Sequence, residues 1–200
     1  MTFTWIFIAA LLLSVGMRHW LAMRQIRHVA LHRASVPNEF ASRVSLADHQ
    51  KAADYTIAKL RFGLLENAFG AFVLIGFTLL GGLEWLNQTL LNALGPGIAQ
   101  QILLLVSLAF ISGILDLPFT WKKQFGIEAA FGFNRMTPRL FWLDTIKGIA
   151  LAAALGLPLL WLVLELMATS GSYWWLWTWI VWTLFNALLL WLFPTVIAPL

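Results

Sequence analysis

The sequence of 200 residues has no cysteine, which excludes disulfides and thiolate metal sites but leaves the redox compartment open. It is also short of charge. Asp, Glu, Lys and Arg make up 11% of residues, against about 25% in an average soluble domain, too few to coat a water-facing surface. There is no internal repeat and no low-complexity linker. Nothing forms a nucleophile–base pair, a phosphate-binding glycine loop or a metal triad, so no active site is legible from motifs alone. What is there in quantity is apolar: 60% hydrophobic residues including 12 Trp, with a mean hydropathy of +0.80. Trp suits helices that end at a lipid–water boundary, where an amphipathic ring is stable.

A helix needs about 20 mostly apolar residues to cross a bilayer, and five tracts meet that length: about 3–23, 62–86, 98–119, 140–168 and 172–193. The pattern therefore predicts an all-α, multi-pass transmembrane bundle of about five spans, with amphipathic or cytoplasmic helices in the first and third connections. A cleaved signal peptide is the rival for the first tract. It lacks a basic start and a clear small-residue cleavage site, so a retained helix is favoured.

Local signals set expected limits. Ser45 and Asp48 resemble a capping box, opening a helix that runs towards the second span. Thr137-Pro138 reads as an N-cap followed by proline at the first helical position. Pro118 should close or kink the third span, and Pro158 should kink the fourth. Gly148, Ala152 and Gly156 recur every four residues, a small face suited to close helix contact.

The basic residues are distributed unevenly. Arg18, Arg24, Arg27, Arg33, Arg43, Lys51, Lys59 and Arg61 lie at or within the first connection. Lys122, Lys123, Arg135, Arg139 and Lys147 lie around the third, which accounts for all 13. The net charge of +4 thus reflects membrane topology, and no nucleic-acid partner is expected. With five crossings both basic connections share a face, which the positive-inside rule makes cytoplasmic. The N-terminus is then outside and Leu200 inside, with a bacterial inner membrane as the expected setting. Trp174, Trp175, Trp177 and Trp179 at the start of the fifth span suit an outer aromatic belt.

His28 and His32 have the i, i+4 spacing of a zinc helix, but Val29-Ala30-Leu31 between them lacks the glutamate of H-E-x-x-H. They read as interfacial or solvated residues of a basic helix, and His19 and His49 are isolated. Glu66, Glu84, Asp116, Asp144 and Glu165 all sit near expected span ends, where water reaches them, which weakens the presumption of function attached to intramembrane charge. Glu66 with Asn67 is the best candidate for lining a polar chamber. Asn186, the deepest polar residue of the fifth span, is a further candidate, with an interhelical hydrogen bond as its preferred role.

The connections carry longer ordered strings. The first contains His32-Arg33-Ala34-Ser35-Val36-Pro37 and Phe40, then Ser45-Leu46, His49-Gln50-Lys51-Ala52-Ala53-Asp54-Tyr55-Thr56 and Ala58-Lys59. The third contains Phe125, Ile127-Glu128, Phe131-Gly132-Phe133-Asn134-Arg135 and Thr137, followed by Asp144-Thr145 and Lys147-Gly148. The chain closes on Phe193-Pro194-Thr195-Val196-Ile197-Ala198-Pro199-Leu200. From about Arg24 onwards these resemble the N-terminal membrane region of the CAAX prenyl protease 1 family, membrane-embedded zinc metalloendopeptidases that process prenylated proteins.

The resemblance implies that residues 1–200 are one N-terminal membrane domain. Its helices would form the wall of an intramembrane chamber around a zinc site supplied by a C-terminal peptidase part that is absent here. In the complete protein, zinc-bound water activated by a glutamate would attack the peptide bond. Partners would be the bilayer, that peptidase part of the same polypeptide, and a peptide or lipidated-protein substrate. No zinc ligand or catalytic residue of the family has a counterpart here, so no metal, cofactor or activity is expected of this chain alone. Its end within a motif suggests a piece of a longer protein or a separately treated domain. Glu128, Phe131, Gly132, Phe133 and Asn134 would pack against the catalytic half. A transporter or channel, and a non-catalytic membrane assembly factor, are the alternatives.

Overall fold

Inside a hydrocarbon layer every backbone N–H and C=O must be satisfied within its own segment, so long apolar tracts become helices. The computed structural model describes residues 2–40 and 42–193, and among these there is no strand. Six α-helices follow in order: α1 Thr2–His32, α2 Leu46–Thr78, α3 Gly82–Leu94, α4 Ile98–Lys122, α5 Pro138–Thr169 and α6 Trp174–Leu192. A π-helical turn, Lys123–Glu128, continues α4, and a 3₁₀ turn, Gly171–Tyr173, precedes α6. Five helices are long and apolar enough to cross a membrane: α1, α2, α4 with its π turn, α5, and α6 with its 3₁₀ turn. α3, with 13 residues, spans roughly 20 Å and is too short for a layer about 30 Å thick. The closing string Pro194–Leu200 lies outside the described residues.

Helix ends follow their local chemistry. The Ser45 hydroxyl accepts from the Asp48 amide and caps α2, and the Thr137 hydroxyl accepts from the Leu140 amide and caps α5. α1 runs past its apolar tract to His32, and α2 starts well before its own, so the helical parts of the first connection are extensions of the spans.

Two expected boundaries differ from the structure. The second tract is not one helix to residue 86: α2 stops at Thr78, and Gly81 takes φ +80° before α3 begins. A Cβ on Gly82 would stand 2.8 Å from the Gly76 carbonyl oxygen, so the reversal requires a residue without a side chain there. Pro118 does not end the third span. α4 runs through it to Lys122 and on through the π turn to Glu128, whereas α5 runs through Pro158 as the expected span 140–168 requires.

The chain divides into two compact units, residues 1–87 with 108–136, and residues 88–107 with 137–200. In the first, α1 packs on α2 and α2 packs on the π turn; in the second, α5 packs on α6. Large apolar side chains face outward throughout, Trp5 and Phe72 in the first unit, Leu190 in the second. A soluble protein would bury such residues; here lipid is their solvent.

Candidate functional site

The strings of the first and third connections meet in the first unit. On α2, Lys51, Tyr55 and Lys59 recur at four-residue spacing and so share one face. Opposite them, the segment that leaves the π turn reverses at Gly132, φ +79°. The amides of Phe133 and Asn134 both donate to the Glu128 carbonyl, at 2.8 and 3.1 Å. Asn134 fixes the far side of this turn, its Oδ1 accepting from Gln124 Nε2 at 2.7 Å and from the Met136 amide at 2.8 Å.

Tyr55 joins the two surfaces. Its hydroxyl donates to Glu128 Oε1 at 2.6 Å and accepts from Lys59 Nζ at 3.1 Å. Lys59 Nζ also lies 3.9 Å from Glu128 Oε1. The bond from Lys59 to the tyrosine oxygen holds its ammonium above the ordinary lysine range. The tyrosine ring makes edge contacts with Phe131 at 5.3 Å and Phe133 at 4.9 Å, and Lys51 Nζ lies 5.5 Å from the Phe133 ring. Hydroxyl, carboxylate and ammonium satisfy one another, so the cluster is a latch between two segments and not an acid–base device.

A second fastening lies beside it. Arg33 holds Asp54 through two parallel bonds of 2.7 Å, and His49 Nε2 lies 2.9 Å from the His32 carbonyl oxygen at the end of α1. The Arg33 bond keeps the Asp54 carboxyl below the usual carboxylate range. His28 and His32 are exposed, with His32 Nδ1 bonded to the His28 carbonyl.

Of the chamber candidates, Asn67 is tied between helices: its Oδ1 accepts from Arg18 of α1 at 3.2 Å while its Nδ2 donates to the Gly63 carbonyl. Glu66, next to it, is half-buried. The Asn186 amide donates back to the Trp182 carbonyl of its own helix at 2.7 Å, and among the described residues it has no partner on another helix. In a helix facing apolar surroundings, the carbonyl one turn back is the nearest available acceptor.

Asn186 lines one of two apolar grooves between α5 and α6. The first, about 560 Å³, is walled by Leu159, Leu160, Trp174, Thr178, Trp179 and Trp182. The second, about 640 Å³, lies along Gly148, Ala152 and Gly156, facing Phe185, Asn186 and Leu189. The small face therefore does not bring the helices into close contact: a Cβ on Gly148 or Gly156 would meet nothing within 4 Å. Among the described residues, no three of His, Asp and Glu converge as a metal site.

The expected docking residues Glu128, Phe131, Gly132, Phe133 and Asn134 do come together, but they are held first by their own chain. Phe133 still shows 53% of its surface. Lys51, Tyr55 and Lys59 complete the cluster from α2, and no motif in the sequence marks them for that role. The i, i+4 spacing of Tyr55 and Lys59 was the available signal.

Comparison with known proteins gives a consistent picture. Residues 25–200 match the model for the CAAX prenyl protease N-terminal region, described as five membrane helices. A CAAX prenyl protease 1 homolog of Oryza sativa subsp. japonica is 30% identical over 190 residues, covering 90% of this chain and 44% of that protein. The Homo sapiens homolog is 28% identical, covering 98% of this chain and 43% of its own length. The crystal structure of S. mikatae Ste24p superposes with a TM-score of 0.86 at 24% identity, over 96% of this chain and 46% of that one. At that identity the superposition speaks for the fold. The chain spans less than half the length of these relatives.

Proposed function

The chain belongs to the CAAX prenyl protease family as its N-terminal membrane region, and from that premise we propose that it is the membrane half of an integral-membrane zinc endopeptidase. As a member with five helices fit to cross a bilayer, it is an integral, multi-pass membrane protein. Its proposed task is to form chamber wall and to seat the peptidase part, so that a lipid-linked or membrane-associated peptide is cleaved beside the membrane. The observation that carries this reading is the latch. It fastens the Glu128–Asn134 turn to α2 while leaving Phe133 half exposed as an apolar contact.

The basic connections support a cytoplasmic position for that turn, with the N-terminus outside. Asn67 and Glu66 beside Arg18 are the polar lining proposed for the first unit, and Asn186 in the second groove that proposed for the other. Zinc supplies a Lewis acid to the complete enzyme. Among the described residues no three potential ligands converge, so the ligands would come from the peptidase part.

The test is complementation. This chain and the remaining family length, expressed as separate polypeptides in one membrane, should together cleave a lipidated peptide, and neither should do so alone. Chelator-sensitive proteolysis, or stoichiometric zinc, in the chain by itself would sink the proposal, as would ion or solute flux through the chain in liposomes.

A further inference from the structure

α1 carries two stripes with the same spacing and opposite fates. Ala22, Ile26 and Val29, with Arg33 just past the helix end, run at i, i+4, i+7 and i+11, and all are buried or half-buried. Trp20, Arg24, Arg27 and Leu31 have the same intervals, offset by two positions, and all are exposed. At 100° per residue an offset of two is about 200°, so the second stripe faces directly away from the first. We propose that this outward stripe is a binding surface for anionic phospholipid headgroups, a reading that rests on α1 crossing the bilayer and not on the peptidase assignment.

Charge argues for it. The first acidic residue of the chain is Glu39, so α1 contains Arg18, Arg24 and Arg27 and no carboxylate. Arg18 is turned to Asn67 on α2. Arg24 lies 5.6 Å over the Trp20 ring, and Arg27 has no hydrogen-bond or ion-pair partner among the described residues. A stacked guanidinium keeps its N–H fork free to meet a phosphate in bidentate fashion.

Height argues for it too. Counting from Phe3 at 1.5 Å per residue, Trp20 lies at roughly 26 Å, Arg24 at roughly 32 Å, Arg27 at roughly 36 Å and Leu31 at roughly 42 Å. The hydrocarbon is about 30 Å thick and the bilayer with headgroups about 40–45 Å. The aromatic ring thus falls at the boundary and the two arginines fall in the phosphate layer. Towards the N-terminus, within the hydrocarbon, the same stripe continues through Leu13 and Met17, 67% and 55% exposed. The succession apolar, aromatic, cationic follows that of a lipid from tail to headgroup.

The experiment is native mass spectrometry of the full chain titrated with phosphatidylglycerol or phosphatidylcholine. The wild type should prefer phosphatidylglycerol, with an affinity that falls as salt rises. R24Q/R27Q should weaken phosphatidylglycerol binding by about 30-fold, the loss expected for two basic residues at an anionic surface, and leave phosphatidylcholine unchanged. R24K/R27K should keep the preference, showing that the stripe tolerates substitution. Equal binding of the two lipids, no salt dependence, or wild-type affinity in R24Q/R27Q would overturn the proposal. A protein occupant is tested with R27C, the sole thiol of these 200 residues, in the longer polypeptide with any further cysteines replaced by serine. Shielding from a polar maleimide only when phosphatidylglycerol is present supports the lipid; shielding in every lipid means protein covers the stripe and overturns it.

Discussion

Tyr55 shows how much a single hydroxyl can decide. It donates to a Glu128 carboxylate that keeps only 18% of its side-chain surface exposed, and it accepts from Lys59. Removing one partner of a bond to a charged group costs about 1.5–3 kcal/mol, because the remaining charge is left poorly solvated. Tyr55→Phe should therefore lower the unfolding free energy in detergent by about 2 kcal/mol. Glu128→Gln, which can still accept from the tyrosine, should cost less. Unchanged denaturation of Tyr55→Phe would show the latch to be ornamental.

Arg33 and Asp54 make a different residue-scale prediction. The Asp54 carboxyl is held below the usual carboxylate range by its bonds to Arg33, so its contribution is complete above that range and is lost as pH falls through its lowered folded value. The pair is well exposed, 42% and 44%, so solvent screens it and the effect is modest. Melting temperatures of wild type and Asp54→Asn should differ at neutral pH and converge in acid. A difference that grows on acidification would contradict the assigned pairing.

At the scale of elements, glycines with similar sequence surroundings play opposite parts. Gly82 sits against the Gly76 carbonyl, so Gly82→Ala must displace backbone at the α2–α3 reversal. A cost of about 1–3 kcal/mol is expected, as for other overpacked sites. Gly156 lies mid-helix in α5 beside both grooves and meets open space. Gly156→Ala should be neutral or stabilise by up to about 1 kcal/mol through helix propensity alone. Thermal denaturation of the two variants checks both signs. Loss of stability in Gly156→Ala would restore close packing along the small face.

The capping signals at Ser45 and Thr137 were legible in advance because a cap acts within three residues of itself. The α2–α3 break was not, since the hydropathy of the tract runs on through Gly81. Nor was the run of helix beyond Pro118 as far as Glu128, whereas helix through Pro158 lay within the expected fourth span. Proline removes one hydrogen bond, and a long apolar segment in a membrane tolerates that loss when neighbours re-satisfy the freed carbonyl.

For the whole molecule, five helices able to cross and 13 basic residues confined to two connections give an orientation that can be measured. A reporter fused after Leu200 in a bacterial host should be active on the cytoplasmic side, and one fused ahead of Thr2 on the outer side. Periplasmic activity at the C-terminal fusion would overturn the proposed orientation, and with it the proposed cytoplasmic position of the latch.

Membrane class, the number of apolar spans and the family strings were determined by the sequence itself, because hydropathy, capping and charge asymmetry act along consecutive residues. The tertiary structure alone decided that Tyr55 meets Glu128 across 73 positions, that Asn67 answers Arg18, and that the small face of α5 borders open grooves. Those outcomes depend on how separate helices pack. Each local pattern is equally compatible with several arrangements of its neighbours, and only the sum of their contacts selects one.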